Sequence, residues 1–306
     1  MPTRTLDSSP SILPLYARAA APMVPGASLL PFVPGGGGEI PELDLRLEGV
    51  SAEPGAVADY AKVCGFALRD SLPVTYPHVL AFPLHMAVMA DGAFPFGAVG
   101  LVHVENRIEQ RRPVGIAEQL SVRVRPTPLQ PHPKGRTFSL LTEVTVGDEL
   151  VWSSTSTMLR RGKGDDSAKA EQSFAALPAE TPASAEWKLG GDLGRRYASV
   201  SGDRNPIHMH SLTAKPLGFP AAIAHGMWTK ARCLAALEGR LPDAFGVDVR
   251  FRKPILLPSK VEFASAGEGE EIAFAVRDAK RQTPHLDGRV APLGTQSKAT
   301  TGRKSK

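Results

Sequence analysis

Cysteine is scarce in this chain, with Cys64 and Cys233 the only two among 306 residues. That excludes a disulfide framework and a paired-cysteine metal knuckle, and it points to a reducing, cytoplasmic setting. No apolar run approaches the ~18 residues that a membrane-spanning helix needs. The N-terminal stretch "SILPLYARAAAPMVPGASLLPFVPGGGG" is apolar in patches, but prolines interrupt each one, so no secretory core is expected. Aromatic residues are few, at 6%, and no basic stripe is interleaved with them as a nucleic-acid surface requires. What remains is 42% apolar and 22% charged, the composition of a globular protein with a real core.

The pI of 9.3 suggests a polyanionic partner until the charges are located. Net charge is +5, and Lys298, Arg303, Lys304 and Lys306 all fall in the last few residues. Without those four the body carries +1. The tail is polar and patternless and reads as disordered, so nucleic acid is not an expected partner.

The chain repeats itself. "YAKVCG" (Tyr60–Gly65) returns as "YASVSG" (Tyr197–Gly202), an offset of 137, and "VENRIEQRRPVGIAEQLSVRV" (Val104–Val124) resembles "GVDVRFRKPILLPSKVEFAS" (Gly246–Ser265), with Pro113 and Pro254 offset by 141. Between the copies, "GKGDDSAKAEQSFAALPAETPASAE" is small and polar, as a linker is. The expected organisation is a Pro/Gly-rich arm over 1–39, a first unit over 40–164, a linker over 165–185, a second unit over 186–291, and the basic tail over 292–306. Each unit reads as a short strand ("DLRLEGV" or "EWKLG"), a helix ending at the repeated glycine, an irregular loop and a more apolar helix. Those helices are "PLHMAVMADGAF" and "IAHGMWTKARCLAALEGRL". Alternating strands such as "LLTEVTVGDELVWSSTSTML" and "EIAFAVRDAK" follow. Helices early and strands late make an α+β unit with a mainly antiparallel sheet. Gly35–Gly38 lacks the flanking strand and helix of a dinucleotide-binding loop.

One stretch stands apart: "YASVSGDRNPIHMHSLTA" gathers Asp203, Asn205, His208 and His210 around Pro206. The segment Gly202-Asp203-Arg204-Asn205-Pro206-Ile207-His208 resembles the hydratase-2 motif of the MaoC-like dehydratases, the (R)-specific enoyl-thioester hydratases. "FPAAIAHGMWT" (Phe219–Thr229) and "VRFRKPILLP" (Val249–Pro258) resemble that family's next two segments, in the same order. The resemblance implies a hot-dog fold, a long helix wrapped by a curved antiparallel sheet, and the internal repeat fits the two-unit members. It also implies chemistry without a cofactor, namely reversible addition of water to a trans-2-enoyl thioester carried on coenzyme A or acyl carrier protein. The first copy reads "FALRDSLPVTYPHVLAFP" after Gly65 and carries no such motif, so the second unit is the expected catalytic one.

Hydration requires a base on water, a stabiliser of the thioester oxyanion and a proton for C2. Asp203 and His208 are the candidate acid/base pair, on a loop stiffened by Pro206. Asn205 is expected to orient them or to bond substrate. Gly226 is expected to open a helix whose free N–H meets the oxyanion. Candidate substrate contacts are His225, Tyr76 and His78, with Arg250, Arg252 and Lys253 for carrier phosphates. The alternating charges of those last three equally suit a wet strand face. A metal on Asp203, His208, His210 and His225 is geometrically allowed, but the family's chemistry argues for none. A medium- or long-chain acyl group is the expected substrate, in a tunnel shaped by the first unit around "TYPHVLAFPLHM". A homodimer is compatible with the sequence, though no residue demands one. The rival readings are a hot-dog acyl-CoA thioesterase and a non-catalytic acyl-CoA or carrier-binding module.

Overall fold

The computed structural model describes residues 3–20, 38–98, 100–168, 174–267 and 271–293. All of the basic tail except Pro292 and Leu293 lies outside them, as do residues 21–37 of the N-terminal arm. In chain order the elements are β1 (Arg4–Leu6), α1 (Ile12–Ala20), β2 (Leu45–Val50), α2 (Pro54–Cys64), α3 (Tyr76–Met89), β3 (Leu101–Gln110), β4 (Leu120–Pro126), β5 (Gln130–His132), β6 (Gly135–Val146) and β7 (Glu149–Arg161). The second unit supplies β8 (Ala185–Leu189), α4 (Leu193–Ser201), α5 (Pro206–Met209), α6 (Ser211–Ala214), α7 (Gly226–Leu237), β9 (Phe245–Phe251), β10 (Ser259–Ala266), β11 (Ile272–Asp278) and β12 (Pro284–Ala291).

The fold is α+β and a double hot-dog. The first unit orders its strands β2-β4-β6-β7-β3, and the second orders β8-β10-β11-β12-β9, the same sequence of equivalents. The two sheets join edge to edge through the equivalent strands β3 and β9, which run antiparallel from Glu105↔Arg250 to Gln110↔Phe245. In that register Arg107 faces Asp248, its own counterpart at the repeat offset of 141. The guanidinium Nη1 donates to both carboxylate oxygens, at 3.0 and 2.9 Å. A pseudo-twofold axis therefore passes between two equivalent positions whose side chains carry opposite charges. The repeated tyrosines also meet, Tyr60 and Tyr197 lying 6.1 Å apart between ring centroids.

The helices sit where burial demands. Helix α7 buries Ala231, Leu234 and Leu237 and carries Lys230 fully buried. The ammonium of Lys230 donates to Asn106 Oδ1 (2.6 Å), Asn106 O (3.1 Å) and Val247 O (3.1 Å), pinning α7 across the β3–β9 seam. Burial pushes its pKa well down, yet three acceptors meet its three N–H groups, the arrangement a charged ammonium requires. Helix α3 begins at Tyr76, seven residues before the segment read as helical, and runs through Pro83. Pro77 in its first turn costs no hydrogen bond, and α3 is apolar on nearly every side, so packing holds it across the interior proline.

Part of the N-terminal arm is ordered against the first unit. Strand β1 pairs in parallel with β2, and Arg4 N–H donates to Asp44 O at 2.8 Å. Helix α1 packs on α3. The linker is tied down at its far end, where Arg250 donates to Phe174 O at 2.9 Å and Arg277 donates to Thr181 O at 2.9 Å. Among the described residues no helix is long and apolar enough to cross a membrane.

Candidate active site

Helix α4 ends at Gly202, which closes it in a left-handed conformation (φ 76°). A side chain there would also meet Ile12 of α1, whose Cδ1 lies 2.7 Å from where a Cβ would stand. The chain then turns sharply, so that Asp203 begins a loop pointing back along the helix end. Asn205 serves as N-cap of the single turn α5, its Oδ1 accepting from Ile207 N–H at 3.4 Å, and Pro206 fills the first helical position. That turn brings His208 round to Asp203. From the other side, Ile223 and Ala224 are held by backbone bonds to Ile207 and Ile255, and the chain enters α7 through His225.

Three groups converge. Asp203, His208 and His225 each offer a ligand-capable atom within 4.8 Å of the others. The two imidazoles stack with centroids 3.6 Å apart. His208 Nδ1 lies 2.8 Å from the Ile223 carbonyl, an oxygen that can only accept, so Nδ1 carries the proton and Nε2 is left as an acceptor. By the same reasoning His225 donates from Nε2 to the Asp203 carbonyl at 3.0 Å, and that nitrogen lies 3.8 Å from Asp203 Oδ2. Asp203 Oδ1 accepts the Asn205 N–H at 3.1 Å and the Tyr16 hydroxyl at 2.8 Å.

These contacts set the charges. Burial alone would raise the Asp203 carboxyl, but His225, His208, the Asn205 N–H and the Tyr16 hydroxyl outweigh it and hold it below the ordinary aspartate value. Burial lowers His208 below the usual imidazole value, against the pull of Asp203 and the Ile223 carbonyl. Burial and the neighbouring His208 push His225 down to about 3. At neutral pH the site therefore presents one carboxylate beside two neutral imidazoles. A carboxylate oxygen and a free imidazole nitrogen suit a water molecule, and the same donor set would accept a small cation. His210, weighed above as a ligand, points elsewhere: it is exposed and its Nδ1 caps α6 by accepting from Leu212 N–H at 3.2 Å.

The three groups line a cavity of about 760 Å³, together with Gly226 and Asn205. Gly226 is the first residue of α7, so its N–H has no acceptor within the helix. Its missing Cβ makes room for the Phe251 ring, three atoms of which would lie 3.0–3.1 Å from a Cβ. Arg250, Arg252, Lys253 and His78 line the cavity too. Arg250 is buried with its guanidinium over the Phe174 ring, and Arg252 is paired with Asp287 at 2.6 Å, so of the three only Lys253 has no salt bridge or side-chain hydrogen bond among the described residues.

Tyr76 is a correction. It is buried in the first unit's core with its ring 5.2 Å from Tyr60, and it does not line the cavity. At 100° per residue, positions 76 and 78 lie on nearly opposite faces of α3, so a helix that turns His78 to the cavity turns Tyr76 away.

Sequence reasoning missed other lining groups. From the first unit, His85 and His103 join His78 on the cavity wall, and Lys134 and Arg161 join its exposed rim. Burial lowers His78 to about 4 and His103 to about 3, so both are neutral. The signal for α3 was present: Val79, Phe82, His85 and Met89, also on the wall, are spaced as one helical face. Tyr16 carried no such signal.

The chain is similar to known proteins over most of its length. A family model described as a MaoC like domain matches residues 173–288. Over 287 residues the chain is 37% identical to 3-hydroxyacyl-thioester dehydratase X of Mycobacterium tuberculosis, spanning 94% of this chain and 100% of that protein. The crystal structure of that organism's HtdX superposes with a TM-score of 0.73 at 36% identity, covering 82% of this chain and 100% of that one. A MaoC-like dehydratase from Phytophthora capsici gives 0.67 at 20% identity, over 84% and 97% of the two chains, and speaks for the fold alone.

Proposed function

The chain belongs to the MaoC-like dehydratases, and from that premise we propose that it hydrates trans-2-enoyl thioesters to (R)-3-hydroxyacyl thioesters and runs the reverse dehydration. The observation that carries the reading is the convergence of Asp203, His208 and His225 within 4.8 Å on the wall of a cavity that Gly226 also lines.

The chemistry follows from the tautomers. A water between Asp203 and His208 Nε2 meets two acceptors, so both of its hydrogens are engaged and a lone pair is free to face C3. As the new C3–O bond forms, the C2–C3 π pair moves toward the thioester carbonyl, whose oxygen becomes negative. The N–H of Gly226, which has no acceptor in its own helix and stands at the positive end of α7, is the donor for that oxygen. The proton lost by water passes through the pair to C2, which restores the carbonyl. His225, neutral and stacked on His208, fixes the second imidazole and bonds the Asp203 backbone, so the pair is held by its neighbours rather than by substrate. Asn205 acts through its N–H on Asp203 and as the cap that aims α5.

The acyl chain lies along α3 of the first unit, past Phe82 toward Met89, Leu101 and Leu140 on the same wall. A cavity of this volume is sized for a medium or long chain. The exposed cations Lys134, Arg161 and Lys253 at the rim are suited to the phosphates of coenzyme A or of an acyl carrier protein. The test is direct. The purified protein is given trans-2-enoyl-CoAs from C4 to C16, loss of the conjugated thioester absorbance is followed, and the configuration of the 3-hydroxyacyl product is determined. Turnover to the (R)-product is expected. Release of free coenzyme A without a hydroxyacyl product would overturn the reading in favour of a thioesterase.

A further inference from the structure

Tyr16 belongs to neither repeated unit. It sits on α1, in the arm before the first strand of the first unit, 187 residues upstream of the carboxylate it touches. Its hydroxyl makes two bonds of 2.8 Å, donating to Asp203 Oδ1 and accepting from the Arg204 N–H. With the Asn205 N–H also on Oδ1, that oxygen carries two donors, and Oδ2 is the one left for water.

We propose that Tyr16 is a positioning residue for Asp203, and that α1 is a required part of the catalytic centre rather than an appendage. The proposal rests on the hydratase reading of the site. Two features of the fold argue for it beyond the hydrogen bond itself. Helix α1 is docked by contacts that converge on the loop: the Ile12 side chain occupies the space beside Gly202, immediately before Asp203, and Ala19 is fully buried. Its approach is set upstream by β1 on β2 and by Thr3 Oγ1 donating to Asp44 Oδ2 at 3.0 Å. A catalytic carboxylate also needs one orientation. A lone Asp on a loop rotates about χ2, whereas two donors on one oxygen fix which face the other presents.

The ionisable groups around Asp203 are His208 and His225 from the second unit, Tyr197 on α4, His78 on α3, His103 on β3, Arg204 beside it and Tyr16 itself. Of these, Tyr16 and the imidazoles of His208 and His225 hold the carboxyl low, so removing one hydroxyl raises it.

The test uses the full chain with Tyr16→Phe, which keeps the ring and its packing. The Arg204 N–H it frees lies at an exposed residue where water replaces the hydroxyl. The Asp203 step in the acid limb of kcat/KM, separate from the step of His208, is expected to move up by about one pH unit, and kcat to fall about tenfold with KM within about threefold, the loss of one charge-assisted hydrogen bond. Ile12→Ala, which loosens α1 but keeps the hydroxyl, is expected to lower the unfolding temperature and leave the acid limb in place. A Tyr16→Phe profile that superimposes on wild type overturns the proposal. So does an Ile12→Ala acid limb displaced as far as that of Tyr16→Phe. The Asp203 carboxyl titration, followed by 13C NMR with Asp203→Asn assigning the resonance, needs no turnover. An inactive wild type therefore counts against the hydratase reading, while the NMR shift still decides the role of Tyr16.

Discussion

Alanine at position 226 places a methyl group 3.0 Å from Phe251 Cε1 and 3.1 Å from its Cδ1 and Cζ. Carbon atoms rest at about 3.5–4.0 Å, so the ring or the helix start must yield by several tenths of an ångström. Phe251 is not free to move at will: it is in the last position of β9, at the unit seam, with the His103 ring 5.0 Å away. Overpacking of this kind costs about 1–3 kcal/mol, and the better helix propensity of alanine returns up to about 1 kcal/mol. A net loss of up to about 2 kcal/mol should therefore lower the unfolding midpoint by a few degrees and leave the protein folded. The rate should not be so tolerant, because the Gly226 N–H must meet the thioester oxygen at hydrogen-bond distance. Complete loss of one such donor costs about 10²–10³ in kcat, and a displaced one a fraction of that, so Gly226→Ala is expected to lower kcat about 10- to 100-fold. Adding Phe251→Leu relieves the clash and is expected to restore kcat to within about threefold of the Phe251→Leu single variant. The assay is steady-state hydration of an enoyl-CoA on all four members of the cycle, with unfolding midpoints alongside. A Gly226→Ala enzyme within twofold of wild type, or a double variant with no recovery, would refute the oxyanion role.

Two further outcomes concern the frame of the site. Lys230→Met leaves Asn106 Oδ1, Asn106 O and Val247 O without their buried donor, and is expected to destabilise the protein by about 3 kcal/mol in urea unfolding; a stabilised variant would show that the ammonium is not needed at the seam. His78, His85, His103, His208 and His225 all have depressed values in the folded protein, so below pH ~6.5 the unfolded chain binds protons that the folded one refuses. Stability is then fully present above that pH and is lost as pH falls toward 4, each histidine contributing up to ~1.4 kcal/mol per pH unit. A urea midpoint that stays flat from pH 7 to 5 would contradict the burial of neutral imidazoles.

How legible the molecule was depends on how far apart in the chain its parts lie. Asp203, Asn205 and His208 fall within six residues, and Pro206 and Gly202 announce the turn between them, so the cluster could be read as a unit. The repeat was legible because both copies keep the same helix stop and the same strand exit. The seam was not read from it, although the same 141-residue offset turns out to pair Arg107 with Asp248. Tyr16 was not legible, because nothing local marks a tyrosine in a proline-interrupted arm as the partner of a carboxylate 187 residues on. His85 and His103 were hidden for a related reason: a histidine on a core helix or strand shows its purpose only once the opposite wall is known. Tyr76 was misassigned because α3 was read as starting at Pro83, and without the true start the helical face could not be phased.

Hydration at this site depends on one water held jointly by Asp203 and His208. The most direct test of this is the hydration rate of folded Asp203→Asn and His208→Gln variants, singly and together. Each single change should lower kcat by about 10³ or more, and the double variant should be scarcely slower than either, as for two groups acting as one device. A folded single variant that keeps a tenth or more of the wild-type rate, or losses that multiply in the double, would contradict it.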